Sequence, residues 1–559
     1  MEKRWLVPPR IPPEVDLALA EYPSFLRQIL YNRGYATPQE ASQFLEARTP
    51  IGTDPLNLSG MAIAVERIQF ALKKQEPIAI YGDYDADGVT ATALLVQTLQ
   101  RLGADVRGYI PNRFDEGYGL NSDALTNLNS QGVRLVITVD CGIRSFPEAE
   151  HSRRLGVDLI ITDHHHPASD IPPALAVINP KLPEDSYPEK DLAGVGLAYK
   201  LACALFDQHP AEDPVNYLDL VALGTVTDMA PLVGENRALV RAGLELLRYP
   251  HRQGIQALIG VSGVRADRIN ASNIGFMLGP RLNAAGRLDT ALAALNLLMT
   301  TNIAEAAMLA QQLEIFNRER QDLTRQIQST AEQMALAEDP DAILLFAAHP
   351  DFNSGVVGLA ASRLCEKYYK PAIIATPGEV YTRASCRSIP EFHITQALDQ
   401  CAELLEHHGG HAAAAGFTIR NEKLPLLIEQ LKAIASEKLA SVDLRPTQHA
   451  DLELPLFELK PEILTYLDWL QPTGYGNRSP HFISRNLKVI RSNPVGKEAN
   501  HLRMHVTDGR ITYDAIAFRQ GHWLNKLPPR VDLLYEFELN EYNGRISLQL
   551  NVSDIKSSI

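Results

Sequence analysis

The chain has 559 residues, which is too long for one hydrophobic core and predicts roughly three to four domains. Its 45% apolar and 21% charged composition is that of an ordinary globular protein, with no low-complexity segment. The five cysteines are scattered and odd in number, which excludes a disulfide framework or a zinc ribbon and favours the reducing cytoplasm. No apolar span is long enough to cross a bilayer, so we expect a protein that is neither secreted nor membrane-spanning.

The net charge of -14 is unevenly distributed along the chain. From residue 471 to 559, twelve Lys and Arg stand against eight Asp and Glu, so the tail is the basic part of an acidic chain. An excess of this size is a small indication that the tail contacts a polyanion.

The predicted elements begin with amphipathic helices over 14–46, followed by a joint over 53–60. Strands and helices then alternate, with a helix over 89–102 and strands over 105–110 and 133–139. This alternation is typical of a parallel sheet with helices on its faces.

Helices dominate over 195–298, and an uninterrupted helical pattern over 302–336 has the length of a connector between domains. A second alternation of strands and helices runs over 342–441. Four or five strand-like runs with little helix follow: 481–490, 501–506, 511–518, 531–539 and 546–552. Strands at this spacing predict a small barrel, and an oligonucleotide-binding barrel is the natural candidate.

Three apolar runs in the first third of the chain end in acidic or imidazole side chains. Residues 79–80 lead to Asp83, Asp85 and Asp87, residues 135–139 to Asp140, and residues 159–161 to Asp163, His164 and His165. Because the carboxyl ends of parallel strands meet at one edge of a sheet, we expect these seven groups to converge there. Like charges this close repel strongly unless cations lie among them, so the pattern implies bound metal ions.

The ligand types indicate the metal and the reaction. Carboxylate oxygens and imidazole nitrogens without thiolates suit Mn²⁺ or Mg²⁺ better than a closed structural zinc site. On an extended segment Asp83, Asp85 and Asp87 would all face the sheet edge, and Gly88 would let the chain turn into a helix beginning at Val89. Two divalent ions can clamp the attacking and leaving oxygens of an in-line displacement, so phosphoester hydrolysis is the leading reaction class.

Each of these residues has an ordinary structural interpretation as well. A single strand-end aspartate such as Asp140 is most often a helix cap or a turn former. Three such strand ends, together with Asp228 after residues 224–227, are not gathered by capping alone. The combined set therefore favours a metal site.

The motif Asp163-His164-His165, with the run 83–88 upstream, resembles the DHH phosphoesterase superfamily. Five further blocks match in the same order: 139–142, 224–228, 281–287, 354–358 and 409–416. Within the superfamily the chain is similar to the bacterial exonucleases specific for single-stranded DNA, over about residues 75 to 420. The resemblance implies an α/β protein: a parallel-sheet DHH domain, a long connecting helix, a smaller α/β DHH-associated domain and a C-terminal oligonucleotide-binding β-barrel.

The corresponding domain bounds are 1–60 for an N-terminal helical segment, 61–300 for the DHH domain, 301–338 for the connector, 339–445 for the DHH-associated domain and 446–559 for the barrel.

The resemblance also implies the metal ligands, which are Asp85, Asp87, Asp140, His164 and Asp228. Asp140 would bridge two ions. Tyr81 stands where pyrophosphatase relatives carry a liganding histidine, so Asp83 would substitute for that ligand. His165 would face the scissile phosphate as a charge stabiliser or acid, and Asp163 would orient an imidazole.

Substrate contacts are implied in both α/β domains. The Gly409-Gly410-His411 loop would let the backbone approach a phosphate, with His411 as a contact. Ser385 and Arg387 resemble residues that bind the nucleotide near the 5′ end. Arg113, with Arg281 or Arg287, would act similarly from the DHH domain, although a surface salt bridge is the commoner role of any one arginine.

The tail segment 474–482 resembles the start of the family's oligonucleotide-binding barrel, where proline is more usual than Arg478. Basic residues with interleaved aromatics could follow a strand by phosphate contacts and base stacking: Lys488, Arg491, Lys497, Arg503, Tyr513, Phe518 and Arg519. Equally, Tyr513 and Phe518 could fill the barrel interior.

The function expected from sequence is a divalent-metal-dependent 5′-to-3′ exonuclease on single-stranded DNA, with two Mn²⁺ or Mg²⁺ ions, in DNA recombination and repair. We expect a cytoplasmic monomer that is supplied with substrate by a helicase and a single-strand-binding protein. One alternative is a phosphodiesterase of the same superfamily that cleaves short oligoribonucleotides or cyclic dinucleotides. The other is a non-catalytic relative that only binds single strands.

Overall fold

A computed structural model describes residues 2–113, 115–117, 119–207, 209–496, 498–542 and 544–558. The chain forms two compact units. The larger unit contains residues 5–280, 294–307 and 447–559, and the smaller unit contains residues 281–293 and 308–446 together with the N-terminus up to Arg4. In the described part of the chain, no helix combines the length and the apolar character needed to cross a membrane.

The N-terminal segment carries one short strand and three helices: β1 (Arg4–Leu6), α1 (Pro13–Ala18), α2 (Ser24–Asn32) and α3 (Pro38–Glu46). The third begins with a capping box, in which the Thr37 side chain accepts from the Glu40 N–H and the Glu40 carboxylate accepts from the Thr37 N–H. The apolar faces of α2 and α3 belong to the same buried cluster as the interior of the C-terminal barrel.

A five-stranded parallel sheet follows. Its elements are α4 (Met61–Lys74), β2 (Ile78–Gly82), α5 (Ala86–Arg101), β3 (Val106–Tyr109), α6 (Ser122–Ser130), β4 (Leu135–Val139), α7 (Phe146–Leu155), β5 (Asp158–Thr162) and β6 (Ala176–Ile178). The strand order is β3-β2-β4-β5-β6, and every pairing is parallel. All residues of β2 and β4 are buried, which explains their unbroken apolar sequence.

Helices follow the sheet in the chain: α8 (Gly194–Phe206), α9 (Leu218–Thr227), α10 (Gly234–Arg248), α11 (Gln253–Ser262), α12 (Ala271–Asn273), α13 (Gly279–Leu288), α14 (Leu292–Met299) and α15 (Ile303–Glu338). Nearly all of α8 is buried, so it is apolar on all sides rather than amphipathic. The 36-residue α15 begins in the larger unit and ends in the smaller one, which confirms the predicted long connecting helix.

The smaller unit contains a mixed sheet with its own core. Its elements are β7 (Leu345–Ala348), α16 (Val357–Tyr368), β8 (Ala372–Pro377), β9 (Tyr381–Arg387), α17 (Ile394–Asp399), β10 (Leu405–Gly410), β11 (Ala414–Arg420) and α18 (Leu424–Leu439). The order is β10-β11-β9-β8-β7, with only the β7 and β8 pair parallel among the described strands.

The C-terminal residues form a barrel. They comprise β12 (Thr447–His449), β13 (Leu452–Glu453), α19 (Glu462–Trp469), β14 (Phe482–Val495), β15 (His501–Thr507), β16 (Thr512–Ala517), β17 (Arg530–Tyr542) and β18 (Arg545–Ser557). Five strands run in the order β14-β15-β16-β18-β17, and pairing of β14 with β17 closes the ring. The predicted small C-terminal barrel is confirmed, and it has five strands.

One buried arginine joins three parts of the larger unit. Arg237, on α10, donates to the backbone oxygens of Phe44, Trp469, Leu470 and Pro472 at 2.9 to 3.1 Å. Its guanidinium carbon lies 4.1 Å from the centre of the Phe44 ring. Burial, and then the neighbouring arginines, lower the pKa of Arg237 to about 9. One side chain therefore contacts the helices of the sheet domain, the N-terminal segment and the entry to the barrel.

Candidate metal centre

The carboxyl ends of the central strands carry the predicted acidic and imidazole groups. Three sets could each hold a metal ion, with ligand atoms within 4.8 Å of one another: Asp83, Asp85 and Asp140; Asp140, His164 and His165; and Asp87, His164 and Asp228. These sets were found among the described residues. Asp140 and His164 each belong to two sets, so the three form one continuous cluster beside β2, β4 and β5.

Asp140 lies at the centre of this cluster. It is buried and adopts a left-handed backbone conformation with φ of 62°. Its Oδ1 is buried and has no hydrogen-bond partner among the described residues. Gly194, at the start of α8, packs directly against it: a Cβ at Gly194 would lie 2.6 Å from the Asp140 Cβ. A glycine is therefore required for the helix to approach this carboxylate.

The run 83–88 does not continue as an extended segment, contrary to the prediction. The helix begins at Ala86 rather than Val89, because Asp85 Oδ1 caps it by accepting from the Asp87 and Gly88 N–H groups at 2.9 and 3.1 Å. Gly88 lies inside the first turn, where a Cβ would come within 2.5 Å of the backbone oxygen of Asp83. Helical geometry, not strand alternation, thus brings Asp87 to the cluster.

Asp87 is fixed by backbone groups distant in sequence. Its two oxygens accept from the N–H groups of Gly194 and Val195, at 2.7 and 2.9 Å. Both N–H groups lie at the N-terminus of α8, where they have no acceptor within the helix. This end of a helix favours a negative charge. Sequence reasoning missed this pair, although the Gly194-Val195-Gly196 start of an apolar helix was a possible signal.

The carboxylates raise one another's pKa. Burial and the charge of Asp85 raise the pKa of Asp87 to about 7, and burial with Asp87 and Asp85 raises that of Asp228 to about 9. The pKa values of Asp83 and Asp140 are also raised well above the usual range, by burial first and by the neighbouring carboxylates second. The cluster therefore stores electrostatic repulsion that a cation would relieve.

His164 is suited to be a neutral nitrogen ligand. Burial, and then the neighbouring His165, lower the pKa of His164 to about 3. Its Nε2 lies 3.1 Å from Asp140 Oδ1 and 3.7 Å from Asp228 Oδ2, yet it makes no hydrogen bond to any described residue. A buried imidazole nitrogen that lies among carboxylates without a hydrogen-bond partner is the arrangement expected of a metal ligand.

His165 and Asp163 form a hydrogen-bonded pair. Asp163 Oδ1 lies 2.7 Å from His165 Nδ1 and accepts from the His165 N–H, while Oδ2 accepts from the Ile143 N–H. Burial opposes protonation of His165, but the hydrogen bond and the charge of Asp163 raise its pKa above the usual value. Asp163 is buried and belongs to none of the metal-holding sets among the described residues, whereas His165 is 41% exposed on its side chain.

The donor set fits divalent metal ions. Asp83 Oδ1, Asp140 Oδ1 and His164 Nε2 are buried polar atoms without hydrogen bonds in the described part of the chain. Leaving such atoms unpaired costs about 1–3 kcal/mol each. Their oxygen and nitrogen character, with no thiolate in any set, matches Mn²⁺ or Mg²⁺.

Arg113 lies beside this cluster. Its guanidinium carbon is 4.1 Å from the centre of the Tyr84 ring. Its charge partly offsets the burial and the repulsion from Asp85 that raise the pKa of Asp83. The arginine is thus held over an aromatic ring at the edge of the acidic cluster.

In the smaller unit, Ser385 and Arg387 lie on β9 opposite Gly416 and Ala414 of β11. A Cβ at Gly358, in the first turn of α16, would lie 2.9 Å from Arg387 Nη2 and 3.5 Å from Ser385 Oγ. No carboxylate pairs with Arg387 among the described residues, and burial lowers its pKa. A half-buried arginine, a hydroxyl and a helix N-terminus therefore converge.

The predicted glycine loop ends β10 in the same sheet. Gly410 has φ of 141°, and a Cβ there would collide with the backbone oxygen of Ala414. Gly409 has open space where a Cβ would be, and His411 is exposed at the turn. We name Ser385, Arg387, Gly409, Gly410 and His411 the β9–β10 cluster.

Arg281 and Arg287 both lie on α13 in the smaller unit. Arg281 is buried and its Nε is 2.7 Å from Glu314 Oε2, while Arg287 Nη1 donates to the Gly355 oxygen at 3.2 Å. Both therefore have structural partners within that unit.

On the barrel, Tyr513 and Phe518 differ in their exposure to solvent. Tyr513 is 5% exposed, and its hydroxyl donates to the Leu459 oxygen, so it fills the interior. Phe518 is 54% exposed. Four of the basic residues are exposed on the outer surface, namely Lys488, Arg491, Arg503 and Arg519, while Lys497 lies outside the described residues.

A parallel sheet with this cluster at its carboxyl edge, followed by a glycine-loop domain, defines a DHH phosphoesterase. Three family models match in order: "DHH family, N-terminal domain" over residues 77–225, "DHHA1 domain" over 341–437 and "RecJ OB domain" over 450–554.

Curated relatives identify the family of this chain within the DHH phosphoesterases. The chain is 38% identical to the single-stranded-DNA-specific exonuclease RecJ of Bacillus subtilis, covering 94% of this chain and 67% of the relative, and 35% identical to that of Escherichia coli, covering 96% of each. The crystal structure of RecJ in complex with Mn²⁺ from Thermus thermophilus aligns with a TM-score of 0.86 at 31% identity, over 100% of this chain and 80% of that one. The chain belongs to the RecJ family.

Proposed function

We propose that the chain is a divalent-metal-dependent exonuclease that removes nucleotides from single-stranded DNA in the 5′-to-3′ direction, in DNA recombination and repair. The observation that carries the proposal is the continuous cluster of carboxylates and imidazoles around Asp140. The full-length similarity to relatives named single-stranded-DNA-specific exonucleases supports the substrate class.

The proposed ligands are Asp83, Asp85, Asp87, Asp140, His164 and Asp228, with Asp140 shared between two Mn²⁺ or Mg²⁺ ions. When bound, the ions would neutralise the phosphate and activate water for in-line attack. The chain's own contribution is to hold the ligands: backbone N–H groups of α8 fix Asp87, and burial keeps His164 neutral.

His165 and Asp163 are the proposed catalytic pair. Asp163 holds the His165 ring by its Nδ1, which leaves Nε2 to donate a proton or a hydrogen bond to the scissile phosphate. The raised pKa of His165 favours the imidazolium over the neutral ring. His165 also belongs to one metal-holding set, through its closeness to Asp140.

We propose that the β9–β10 cluster holds the 5′ end of the strand. Arg387 and Ser385 would bind a phosphate beside the N-terminus of α16, with His411 as a further contact. Arg113 is proposed as a phosphate contact next to the metal cluster. Arg281 and Arg287 are weaker candidates, because each already has a partner within its own unit.

The barrel surface is the proposed site for the continuing strand. Exposed Phe518 offers a stacking face, and Lys488, Arg491, Arg503 and Arg519 offer cations, which together suit a single strand without sequence preference. We further propose a cytoplasmic monomer that receives its substrate from a helicase and a single-strand-binding protein.

The proposed domain bounds are those expected from sequence, namely 1–60, 61–300, 301–338, 339–445 and 446–559. The sharing of one buried cluster by the N-terminal helices and the barrel indicates that the first and last of these fold against each other.

The test is digestion of one single strand labelled at either end, with Mn²⁺ or with EDTA. We expect metal-dependent release of mononucleotides from the 5′ end, and its loss in Asp140→Ala. Asp351→Ala is a matched control, because Asp351 is an exposed carboxylate that belongs to none of the metal-holding sets in the described chain. Digestion by Asp140→Ala at the control's rate would refute the metal assignment, and release only from dinucleotide substrates would refute the substrate class.

A further inference from the structure

A cavity of about 400 Å³ lies in the larger unit, apart from the residues assigned to the metal centre. It opens where the end of α2, the residues after β12 and the loop over 474–478 meet. Its polar lining includes Arg33, His449, Asp451, Asn477 and Arg478.

Two buried polar atoms of this lining have no partner among the described residues. Arg33 Nη2 donates to the Arg478 oxygen at 2.7 Å, but Arg33 Nη1 is buried without an acceptor. Asn477 Nδ2 donates to the oxygens of Leu470 and Pro472, but Asn477 Oδ1 is buried without a donor. A charged donor left unpaired is costly, so Arg33 Nη1 suits an anion, whereas Asn477 Oδ1 requires a donor such as an ordered water.

The charged side chains that line the cavity favour a ligand with a single negative charge. The Arg478 guanidinium is exposed and forms no ion pair among the described residues. Asp451 is the one carboxylate of the lining, and its Oδ2 already accepts from the His481 N–H at 3.0 Å. Burial, and then the charge of Arg478, lower the pKa of His449, which disfavours a positive charge on this ring. Arg33, Arg478 and Asp451 together leave one net positive charge.

The wall beside these charges is aromatic. Tyr35 and Phe44 both line the cavity, with ring centres 4.4 Å apart. Phe44 is buried and also contacts the Arg237 guanidinium, so the half-buried Tyr35 is the ring with more exposed surface. A phosphodiester carries one negative charge and is flanked by bases that stack on aromatic rings, whereas a free phosphate near pH 7 is partly dianionic and has no base.

We propose that this cavity binds a backbone phosphodiester of single-stranded nucleic acid, with Arg33 and Arg478 as the phosphate contacts. The inference rests on the proposed function for its substrate class and adds a binding position outside both the metal centre and the barrel strands. The loop that carries Arg478 also contacts the segment after Asp228: the Leu232 N–H donates to the Tyr475 oxygen at 2.7 Å. A strand held here would thus lie against the chain that leads from a proposed metal ligand.

The test measures binding by the full chain in EDTA, which prevents metal-dependent cleavage. The probes are a fluorescent oligothymidylate, dAMP and inorganic phosphate, with Arg478→Gln and Arg33→Gln as variants. Arg48→Gln is the matched control, because Arg48 is an exposed arginine paired with Glu46. Circular dichroism checks that each variant is folded.

We expect Arg478→Gln to weaken oligothymidylate binding roughly tenfold and to reduce the dependence of log K on log salt by about 0.7, as for one lost phosphate contact on a single strand. Arg48→Gln should match the wild type. Unchanged affinity and salt slope in folded Arg478→Gln would overturn the inference, and so would an effect on phosphate or dAMP binding alone. Failure of the wild type to bind or digest single strands would instead overturn the proposed function.

Discussion

Gly194→Ala should disable the metal centre without removing any ligand. The added Cβ would lie 2.6 Å from the Asp140 Cβ and 2.9 Å from its Oδ1, whereas ordinary contact begins near 3.4 Å. Either α8 or Asp140 must therefore shift by about 0.8 Å. Metal sites tolerate misplacement of only about 0.5 Å, and a shift near 1 Å costs on the order of 10²-fold in rate.

The same shift disturbs a second ligand, because the Gly194 N–H donates to Asp87. We expect Mn²⁺ affinity, measured by thermal-shift titration, to fall roughly ten- to hundredfold, and digestion of an end-labelled strand to slow by about 10²-fold. Overpacking should lower the free energy of unfolding by about 1–3 kcal/mol.

Gly260→Ala is the matched control. Gly260 lies in α11 with open space where its Cβ would be, so alanine should stabilise that helix by up to about 1 kcal/mol and leave activity unchanged. If folded Gly194→Ala binds Mn²⁺ and digests DNA as the control does, the close approach of α8 to Asp140 does not govern the site.

Three further outcomes are expected. The pKa of Asp87 is raised to about 7 and that of Asp228 to about 9, so the metal-free fold holds protons that the unfolded chain releases near pH 4, and its stability falls as the pH rises through 7 towards 9. Mn²⁺ displaces these protons, so the increase in Tm on adding Mn²⁺ should grow from about pH 6 to about pH 9, and a constant increase would contradict this account. Asp163→Asn should lower kcat roughly ten- to hundredfold and move the alkaline limb of its pH profile to lower pH, because His165 loses the charge that keeps it protonated; an unmoved limb would count against the pair. Arg237→Met should lower the free energy of unfolding in urea by about 3 kcal/mol or more, since four carbonyl groups lose a charged donor, although those of Leu470 and Pro472 keep the Asn477 amide; a change below about 0.5 kcal/mol would contradict that role.

The parallel sheet could be predicted because its buried strands read as unbroken apolar runs, and their carboxyl ends then locate Asp140 and His164. The start of α5 could not be predicted by alternation, since Asp85 uses its side chain to cap the helix. The donors to Asp87 come from more than a hundred residues away, and no local pattern connects them.

Strand alternation does not explain the difference between the two barrel aromatics. Tyr513 lies within β16, whereas Phe518 follows the last residue of that strand and lies in a turn. The shared core of the N-terminal helices and the barrel was beyond prediction, because pairing of amphipathic faces across more than 400 residues leaves no periodic signal.

The four carbonyl groups around Arg237 limit how the chain can be divided into fragments that fold. A fragment that ends before Trp469, or one that begins after Phe44, would keep a buried guanidinium while discarding the oxygens that solvate it. Such fragments should be insoluble or unstable even though their boundaries lie between recognisable domains. The parallel sheet and the barrel are separate in sequence, but this arginine links them within one compact unit.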